Sequence, residues 1–304
     1  MRESQIIQYL PLALRGQIGE ETLLGAEEIR IRVGQPVEIL YGDRKSRYFG
    51  KADREGLYEM LNFLTGYSLY ALEEEMRQGF FTIEGGHRVG LCGHMSYHGT
   101  DAGNQADVLR DISGLNIRIA REMKGCAKKI VPYLRRGNSI FNTLIFAPPG
   151  EGKTTYLRDC IRILSTGEPG SPGMKVGVVD ERSEIAACHQ GMPQNDLGPR
   201  TDVLDNCPKE IGMRMLLRSM SPEIIAVDEL GKEADYVAVK DVMRAGVRLL
   251  GTIHAGSKQE IMKKPHMAEI LESSDWRLVR IERDETGQRH VIVYNQKEEG
   301  IWVS

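Results

Sequence analysis

The segment from Leu144 to Arg158 constrains the fold more than any other part of the chain. It consists of a short apolar run that ends near Ala147, a turn rich in glycine and proline, and a stretch of good helix formers. A strand that enters a helix through such a turn directs several backbone N–H groups to one point, beside the positive end of the helix. This arrangement binds phosphate, so the segment predicts a nucleotide site at the start of a helix.

The turn and the first helical residues supply the predicted contacts to the nucleotide. Gly152 lets the backbone approach the anion, Lys153 provides a mobile charge for the outer phosphates, and the Thr154 hydroxyl can ligate Mg²⁺. The pattern has one departure, because Ala147 stands where the first glycine is usual; we expect a mild effect if Ala147 is strand-like. ATP and Mg²⁺ are the predicted ligands. The predicted nucleotide-binding residues are Pro149, Gly150, Glu151, Gly152, Lys153, Thr154 and Thr155.

Composition narrows the classes of partner and compartment. The chain of 304 residues suits two domains, and its net charge of −3, without a long Lys/Arg block, argues against binding to nucleic acid or an anionic membrane by bulk electrostatics. The five cysteines form no CxxC pair, which argues against a disulfide framework or a zinc site and fits a reducing cytosol. The start carries no signal-peptide pattern, and no apolar run approaches the ~20 residues of a membrane-spanning helix.

Residues 1–122 predict a small α+β domain. Residues 28–33 alternate apolar and polar side chains, as a half-buried strand does, and place Arg30 and Arg32 on its polar face. A second strand over 37–41, helices over 54–64 and 68–78, and a glycine-rich hairpin over 80–94 follow. The strand over 115–120 again presents an arginine, Arg118, on its polar face.

Residues 123–304 alternate strands with helices, which predicts a doubly wound, largely parallel sheet. The segment 188–209 is long, polar and rich in Gly, Pro and Asn, so we interpret it as a functional or partner-facing element. The predicted helices cover 126–134, 153–164, 210–220, 234–245 and 257–272. The predicted strands cover 144–146, 175–179, 222–227 and 248–254, with a closing hairpin over 276–295.

Polar residues follow two of these apolar strands. In open α/β sheets ligands lie beyond the carboxyl ends of the strands, so Asp228, Glu229 and His254 should lie near the phosphate loop. Asp228 can ligate Mg²⁺ directly or through water, and Glu229 can orient and polarise the attacking water. A histidine at a strand end is more often structural, but in this position His254 could instead sense the γ-phosphate.

Taken together, these segments resemble the ATPases of type II and type IV secretion systems, which are hexameric motors with the RecA-like fold. The resemblance covers about residues 26–256 and rests on four motifs in order: the phosphate loop, an acidic box, a Walker B segment and a Thr-hydrophobic-His box. It implies a RecA-like, doubly wound P-loop ATPase domain, preceded by the smaller α+β domain. The acidic box comprises Asp180, Glu181 and Glu184; the Walker B segment runs from Leu217 to Glu229; the last box is Thr252-Ile253-His254.

The resemblance also implies roles for particular residues. The expected metal site comprises Thr154, Asp228, Asp180 and Glu181. The expected catalytic residues are Glu229, Lys153, His254, Arg88 and Arg118. In such hexamers, arginines of the N-terminal domain or of a neighbouring subunit reach the γ-phosphate, where a guanidinium stabilises developing charge. The candidates here, in order of preference, are Arg88, Arg118, Arg30 and Arg32. Two features depart from the pattern: Asp228 stands where glycine is common, and the tetracysteine zinc module of many type II motors is lacking.

Within that superfamily, the chain is similar to a family of sporulation ATPases of endospore-forming bacteria. This similarity implies a cytoplasmic mother-cell ATPase that powers the membrane channel complex between mother cell and forespore. Attachment to the membrane would then be peripheral, through integral-membrane partner proteins. The segments that carry the similarity are Glu28–Pro36, Gly85–Gly93, Asp111–Ala120, Asp180–Glu184, Pro199–Pro208 and Ser221–Gly231.

Two alternative functions stay open on the sequence. The first is a RecA-like ATPase associated with nucleic acid; the acidic balance and the lack of an interleaved basic and aromatic patch argue against it. The second is a nucleotide-dependent assembly switch that does not hydrolyse ATP; the presence of Glu229 and Thr154 argues against that function.

Overall fold

The chain forms two compact units, Met1–Arg121 and Glu122–Ser304. The structure is a computed structural model that describes residues 6–42, 44–66, 79–100, 103–284, 286–295, 297 and 299–303. The helix predicted over 68–78 lies outside the described residues. Within the described part of the chain, every helix is too short or too polar to cross a membrane.

The first unit is built on a six-stranded antiparallel sheet in the order β3-β2-β1-β6-β5-β4. A 3-10 turn over Ile7–Tyr9 precedes the first helix, and Pro11 lies directly before that helix as its N-cap. The helices are α1 (Leu12–Arg15), α2 (Glu20–Leu23) and α3 (Arg54–Leu64). The strands are β1 (Ala26–Arg32), β2 (Pro36–Tyr41), β3 (Ser46–Lys51), β4 (Phe80–Ile83), β5 (His87–Thr100) and β6 (Gly103–Arg118).

The side chains of β1 alternate between the two faces of this sheet. Ile29 and Ile31 are fully buried in a core that the apolar side of α3 also joins. Arg30 and Arg32 lie on the opposite face, as the period of two dictates. On the neighbouring strands, Arg118 of β6 pairs directly with Arg88 of β5.

The second unit is built on an eight-stranded sheet in the order β13-β12-β14-β15-β9-β16-β17-β18. The first six strands in this order pair in parallel, and the last two are antiparallel additions. Helices pack over both faces, forming two apolar cores. The helices are α4 (Val131–Leu134), α5 (Lys153–Thr166), α6 (Lys209–Ser219), α7 (Glu233–Arg244), α8 (Lys258–Met262) and α9 (Met267–Glu272). The sheet strands are β9 (Asn142–Ala147), β12 (Val176–Asp180), β13 (Thr201–Asp205), β14 (Ile224–Val227), β15 (Arg248–His254), β16 (Trp276–Arg283), β17 (Arg289–Tyr294) and β18 (Gly300–Val303), and two-residue ladders join β7 (Arg135–Arg136) to β8 (Ser139–Ile140) and β10 (Gly167–Glu168) to β11 (Ser171–Pro172).

Two predicted elements of this unit differ in the structure. The helix predicted over 126–134 is reduced to α4, since Pro132 has no N–H to donate to the Lys128 carbonyl. The residues before α4 form a turn, in which the Asp159 carboxylate accepts hydrogen bonds from the N–H groups of Gly125 and Ala127 at 3.0 and 2.7 Å. The segment 188–209 is not loop throughout, since it contains the edge strand β13. This strand pairs in parallel with β12.

Candidate nucleotide site

The phosphate loop connects a fully buried strand to a long helix. Ala147 is the last residue of β9 and lacks a positive φ, so the backbone does not require glycine there. Gly150 and Gly152 have φ of 81° and 92°, in the left-handed region that favours glycine. Pro149 and Gly150 are exposed, and Thr155 lies in the first turn of α5, directly after Lys153 and Thr154. The loop therefore presents the start of a 14-residue helix at the carboxyl edge of the sheet.

Parallel pairing brings the ends of three strands to this edge. His254 at the end of β15 lies opposite Ala147 of β9, and Val227 at the end of β14 lies opposite Gly251 of β15. Asp228 and Glu229 follow Val227 directly, so these carboxylates and the histidine reach the phosphate loop. The predicted convergence of these side chains is what the strand register produces.

The Lys153 ammonium makes three hydrogen bonds within the site. It donates to the carbonyl oxygens of Ala147 and Pro148 at 3.1 and 3.0 Å, and it lies 2.9 Å from Nδ1 of His254. Because an ammonium can only donate, Nδ1 is the acceptor and the neutral ring carries its proton on Nε2. Burial lowers the pKa of Lys153, while the nearby carboxylates, including Asp228, act in the opposite direction.

Thr154 and Thr252 hold the two oxygens of the Asp228 carboxylate. The Thr154 hydroxyl donates to Oδ2 at 2.6 Å, and the Thr252 hydroxyl donates to Oδ1. The Thr252 hydroxyl also accepts a hydrogen bond from the backbone N–H of Glu229 at 2.8 Å. A single buried side chain of β15 thus fixes both acidic residues that follow β14.

The Glu229 carboxylate lies between two cationic or proton-donating groups. Arg182 Nη1 is 2.6 Å from Oε2, and His254 Nε2 is 3.4 Å from Oε1. Glu229 adopts a φ of 55°, which is uncommon for a residue with a side chain and turns the carboxylate out of the strand direction. His254 therefore connects the Lys153 ammonium to the Glu229 carboxylate.

The donor set at Thr154 and Asp228 fits Mg²⁺. Among the described residues, no group of three or more His, Cys, Asp and Glu side chains is arranged to hold a metal ion alone. Mg²⁺ in nucleotide sites does not need such a group, because it keeps several waters and takes one or two protein oxygens plus the substrate phosphates. The adjoining hydroxyl and carboxylate oxygens of Thr154 and Asp228 are ligands of that kind.

The structure gives Asp180 and Glu181 partners other than Thr154 and Asp228, and their part in the metal site stays a prediction. The buried Asp180 carboxylate accepts hydrogen bonds from the N–H groups of residues 184, 185 and 186, at 2.8 to 2.9 Å, and so closes the turn after β12. Burial raises the pKa of Asp180 to about 6. Glu181 pairs with Lys209 and Lys232; burial acts to raise its pKa, but these hydrogen bonds outweigh burial and lower it.

The candidate arginines for the γ-phosphate all lie in the first unit. The Arg88 guanidinium stacks on the Phe80 ring, with Cζ 3.4 Å from the ring centroid. Glu28 lies near two of the other candidates, with Arg30 Nε at 3.0 Å and Arg118 Nε at 3.9 Å from its carboxylate. Arg32 pairs with Glu38 at 3.3 Å. Their action on a nucleotide stays a prediction.

Four residues that lie at the site were missed in the sequence analysis. Thr252 was noted only as part of a motif, and its double hydrogen bond follows from its place two residues before the end of β15. Arg182 lies within the acidic box, where only the acidic residues were predicted to act. Arg283 and Arg289 flank the turn between β16 and β17. Arg283 Nε lies 2.9 Å from the Glu151 carboxylate in the phosphate loop. The parallel pairing of β16 with β9 brings this hairpin to the loop, and no local sequence signal indicates that pairing.

Comparisons with known proteins agree with this fold. The chain is similar in structure to the ATPase DotB of Legionella pneumophila, with a TM-score of 0.59 and 14% identity over 93% of this chain and 80% of that chain. It is also similar to the pilus retraction motor PilT with bound ADP, with a TM-score of 0.59 and 15% identity over 94% of this chain and 82% of that chain. The predicted fold class, a RecA-like P-loop ATPase domain preceded by a smaller α+β domain, is confirmed.

Sequence comparison identifies a narrower group. The chain is 43% identical to stage III sporulation protein AA of Bacillus subtilis strain 168 over 272 residues, which are 88% of this chain and 87% of that protein. The family model described as "Sporulation stage III, protein AA" matches residues 1–301. The phosphate loop, the acidic box, the Walker B segment and the Thr252-Ile253-His254 box all lie within the matched region. The chain therefore belongs to the family of sporulation stage III protein AA.

Proposed function

We propose that this protein is an ATP-hydrolysing, ring-forming motor of the secretion-ATPase type. It energises a membrane channel or transport complex during endospore formation. The observation that carries the proposal is the convergence of Lys153, Asp228 and Glu229, with the Thr154 hydroxyl and His254, at the carboxyl edge of one parallel sheet. Family membership supports the link to sporulation, and the fold supports the motor.

The phosphate loop would bind the triphosphate. The N–H groups at the start of α5 and the positive end of its dipole attract the phosphate oxygens. The Lys153 ammonium, which now donates to two loop carbonyls and to His254, would transfer hydrogen bonds to the outer phosphates. His254, whose Nε2 lies 3.4 Å from the Glu229 carboxylate, would then lose the lysine contact.

Hydrolysis requires an aligned water and stabilisation of negative charge on the phosphoryl oxygens. Glu229 is the residue we assign to orienting and polarising the water, and Thr252 positions it through the backbone N–H. Mg²⁺ held by Thr154 and Asp228 would neutralise charge on the phosphate oxygens. Arg88 or Arg118 would complete the site in an assembled ring, most simply a hexamer, attached to the cytoplasmic face of the membrane through its partner proteins.

The test is ATP turnover per subunit across a protein concentration series, with the mass measured by light scattering with and without nucleotide. We expect turnover to rise with concentration and the mass to shift toward a ring with ATP and Mg²⁺. Glu229→Gln should bind ATP but lower the turnover by about 100-fold or more, because the amide cannot polarise water. Glu272→Gln, an exposed change on α9, is the matched control and should leave turnover unchanged.

Other outcomes favour the alternative functions. Tight ATP binding with no turnover and a nucleotide-dependent mass would favour the assembly switch. Salt-dependent binding of single-stranded oligonucleotides that stimulates turnover would favour an ATPase associated with nucleic acid. A monomeric mass at all concentrations, with no nucleotide binding, would contradict the motor altogether.

A further inference from the structure

The hairpin of β16 and β17 brings two arginines to the phosphate loop. Strand β16 runs parallel to β9, so it ends at the same edge of the sheet. Arg283, the last residue of β16, pairs directly with Arg289, the first residue of β17. Like charges that face each other across strands are destabilising, so this pair needs negative charge nearby.

Only one of the two arginines has such a partner among the described residues. Arg283 Nε lies 2.9 Å from the carboxylate of Glu151. The Arg289 side chain has no ion pair or hydrogen bond to the described part of the chain, and its Nε is buried without a partner. An unsatisfied buried donor is costly, and a charged one more so. Arg289 is therefore the member of the pair that lacks an acceptor.

Arg289 lies directly against the phosphate loop. Its guanidinium is 3.5 Å from the position that a Cβ atom on Gly152 would occupy. Burial raises the pKa of Tyr156, one turn into α5, and the positive charge of Arg289 acts in the opposite direction, which places that charge near the first turn of the helix. A cation at a helix N-terminus opposes the helix dipole, and here it adds to the charge of Lys153. Both features favour an anion at this point.

The Asp284 side chain makes several hydrogen bonds within the turn that carries the two arginines. The Asp284 carboxylate accepts hydrogen bonds from the N–H groups of Thr286 and Gln288, both at 2.9 Å, and from the Thr286 hydroxyl at 2.6 Å. Its other oxygen lies 2.9 Å from Nε2 of His290. These hydrogen bonds fix the backbone from which Arg289 extends, so less backbone ordering is needed when a ligand binds.

We infer that Arg289 is a nucleotide-positioning residue that binds the phosphate chain from within the same subunit, held over the loop by the β16–β17 hairpin. This inference rests on the proposed ATPase function. The ligand class is a nucleoside di- or triphosphate, because a planar guanidinium with several N–H donors matches phosphate oxygens. Arg283 acts indirectly, by tying the hairpin to Glu151. Arg289 is thus distinct from the arginines of the first unit, which the proposed function assigns to hydrolysis.

The test measures dissociation constants of ATP and ADP with Mg²⁺ for the full chain, together with the melting temperature without nucleotide. Arg289→Gln should weaken binding of both nucleotides by about tenfold or more. Its melting temperature without nucleotide should be equal to or higher than that of the unchanged protein, because the change removes the repulsion by Arg283 and Lys153. Arg289→Lys should recover part of the affinity, since it keeps the charge but loses the planar fork.

Two further variants separate the possible results. Arg244→Gln removes an equal charge from the exposed end of α7, at the opposite edge of the sheet, and should bind nucleotide normally. Lys153→Ala should lose nucleotide binding. If the unchanged protein binds no nucleotide, the proposed function and this inference both fail. If it binds, and Lys153→Ala does not, then unchanged affinity in Arg289→Gln overturns the inference alone. A fall in its melting temperature without nucleotide that accounts for the weaker binding would also overturn it, by making the role structural.

Discussion

At the scale of single residues, Thr252 determines how the acidic pair of the site is held. Its side chain is fully buried in β15, and its hydroxyl donates to Asp228 while accepting the N–H of Glu229 at 2.8 Å. Glu229 has a left-handed backbone, which the surrounding structure must maintain. The position of the carboxylate therefore depends on a hydroxyl group that does not itself need to touch the nucleotide.

Replacing this hydroxyl by a methyl group should separate positioning from binding. We expect Thr252→Val to lower ATP turnover by about 10-fold to 100-fold, because a misplaced catalytic group loses that order of rate. The affinity for ATP should change less, since the phosphate loop is untouched. The loss of two buried hydrogen bonds should also lower the free energy of unfolding by about 1–3 kcal/mol.

Thr143→Val is the matched control for this variant. Thr143 is also fully buried, but it lies at the start of β9, where its hydroxyl donates to the carbonyl of Phe141 at 3.0 Å. The same chemical change there should cost stability without a comparable loss of turnover. Equal turnover in the two variants would contradict the positioning role of Thr252.

The residues of the site differ in how readily the sequence revealed them. Lys153, Asp228 and His254 each follow an apolar strand or a glycine turn, so strand order alone predicted that they meet. Arg289 lies in an ordinary hairpin, and nothing in its neighbours along the chain marks it. Its place at the phosphate loop depends on the pairing of β16 with β9, which joins residues far apart in sequence. Local sequence patterns therefore predicted the residues at the strand ends, but not the side chains that approach them from other strands of the sheet.

At the scale of elements, the Asp180 side chain holds the turn after β12. Asp180 is 1% exposed and accepts hydrogen bonds from three successive backbone N–H groups. The same turn carries Arg182, which lies at 2.6 Å from Glu229. A change at Asp180 should therefore affect both the stability of the unit and the position of the Glu229 carboxylate.

The raised pKa of Asp180 predicts a pH dependence of stability with a definite sign. The folded pKa, about 6, exceeds the ordinary value of 3.8, so the folded protein binds this proton more tightly than the unfolded chain. The stabilising contribution of the protonated group is complete below the ordinary pKa and is lost as the pH rises through about 6. With ~1.4 kcal/mol per pKa unit, this group should contribute roughly 3 kcal/mol in all to the free energy of unfolding, of which about 2 kcal/mol is lost between pH 4 and pH 6.

Denaturant unfolding at several pH values, with Asp180→Asn, checks this prediction. The variant should lose the contribution of Asp180 to the slope, and it should be about 1–3 kcal/mol less stable at neutral pH, because an amide nitrogen would face backbone N–H donors. Part of the slope should persist, since burial also raises the pKa of Asp205. Asp202→Asn on β13 is the control; a slope that is the same in both variants would refute the assignment to Asp180.

The elements that were predicted wrongly from the sequence depend on contacts between residues far apart in the chain. Strands β9 and β14 are continuous apolar runs and were found from composition. Strand β13 is short, polar at both ends and intermediate in exposure, so only its parallel pairing with β12 makes it a strand. The helix expected before β9 is reduced to α4, and the turn before α4 is held by Asp159 on α5, which accepts hydrogen bonds from the N–H groups of Gly125 and Ala127. Propensity cannot reveal a hydrogen-bond partner about thirty residues away.

At the scale of the whole molecule, each unit has its own sheet and its own apolar core. The core of the first unit draws on residues 6–119, and the two cores of the second unit draw on residues 127–293. No core cluster of described residues combines side chains from both units. All the residues proposed to bind nucleotide lie in the second unit, while the arginines proposed to assist hydrolysis lie in the first.

This division predicts that binding and hydrolysis can be separated by cutting the chain. A fragment of residues 122–304 should fold, since a unit of this size buries enough apolar surface for stability, and should bind ATP with Mg²⁺ through its intact phosphate loop. Its turnover should fall by about 1,000-fold relative to the full chain if an arginine of the first unit stabilises the phosphoryl charge. Circular dichroism, nucleotide titration and turnover measurements on the fragment check the three parts.

Arg88→Gln in the full chain provides the complementary measurement. It should reproduce the loss of turnover with unchanged nucleotide affinity, because it removes the guanidinium and leaves the second unit intact. Arg47→Gln, at an exposed position of β3, removes the same charge from the first unit and should retain turnover. If the fragment hydrolyses ATP as fast as the full chain, the arginines of the first unit have no part in the reaction, and the second unit would have to stabilise the transition state with its own cations. If Arg88→Gln is fully active while the fragment is inactive, the assisting charge comes from another position in the first unit, with Arg118 the next variant to measure.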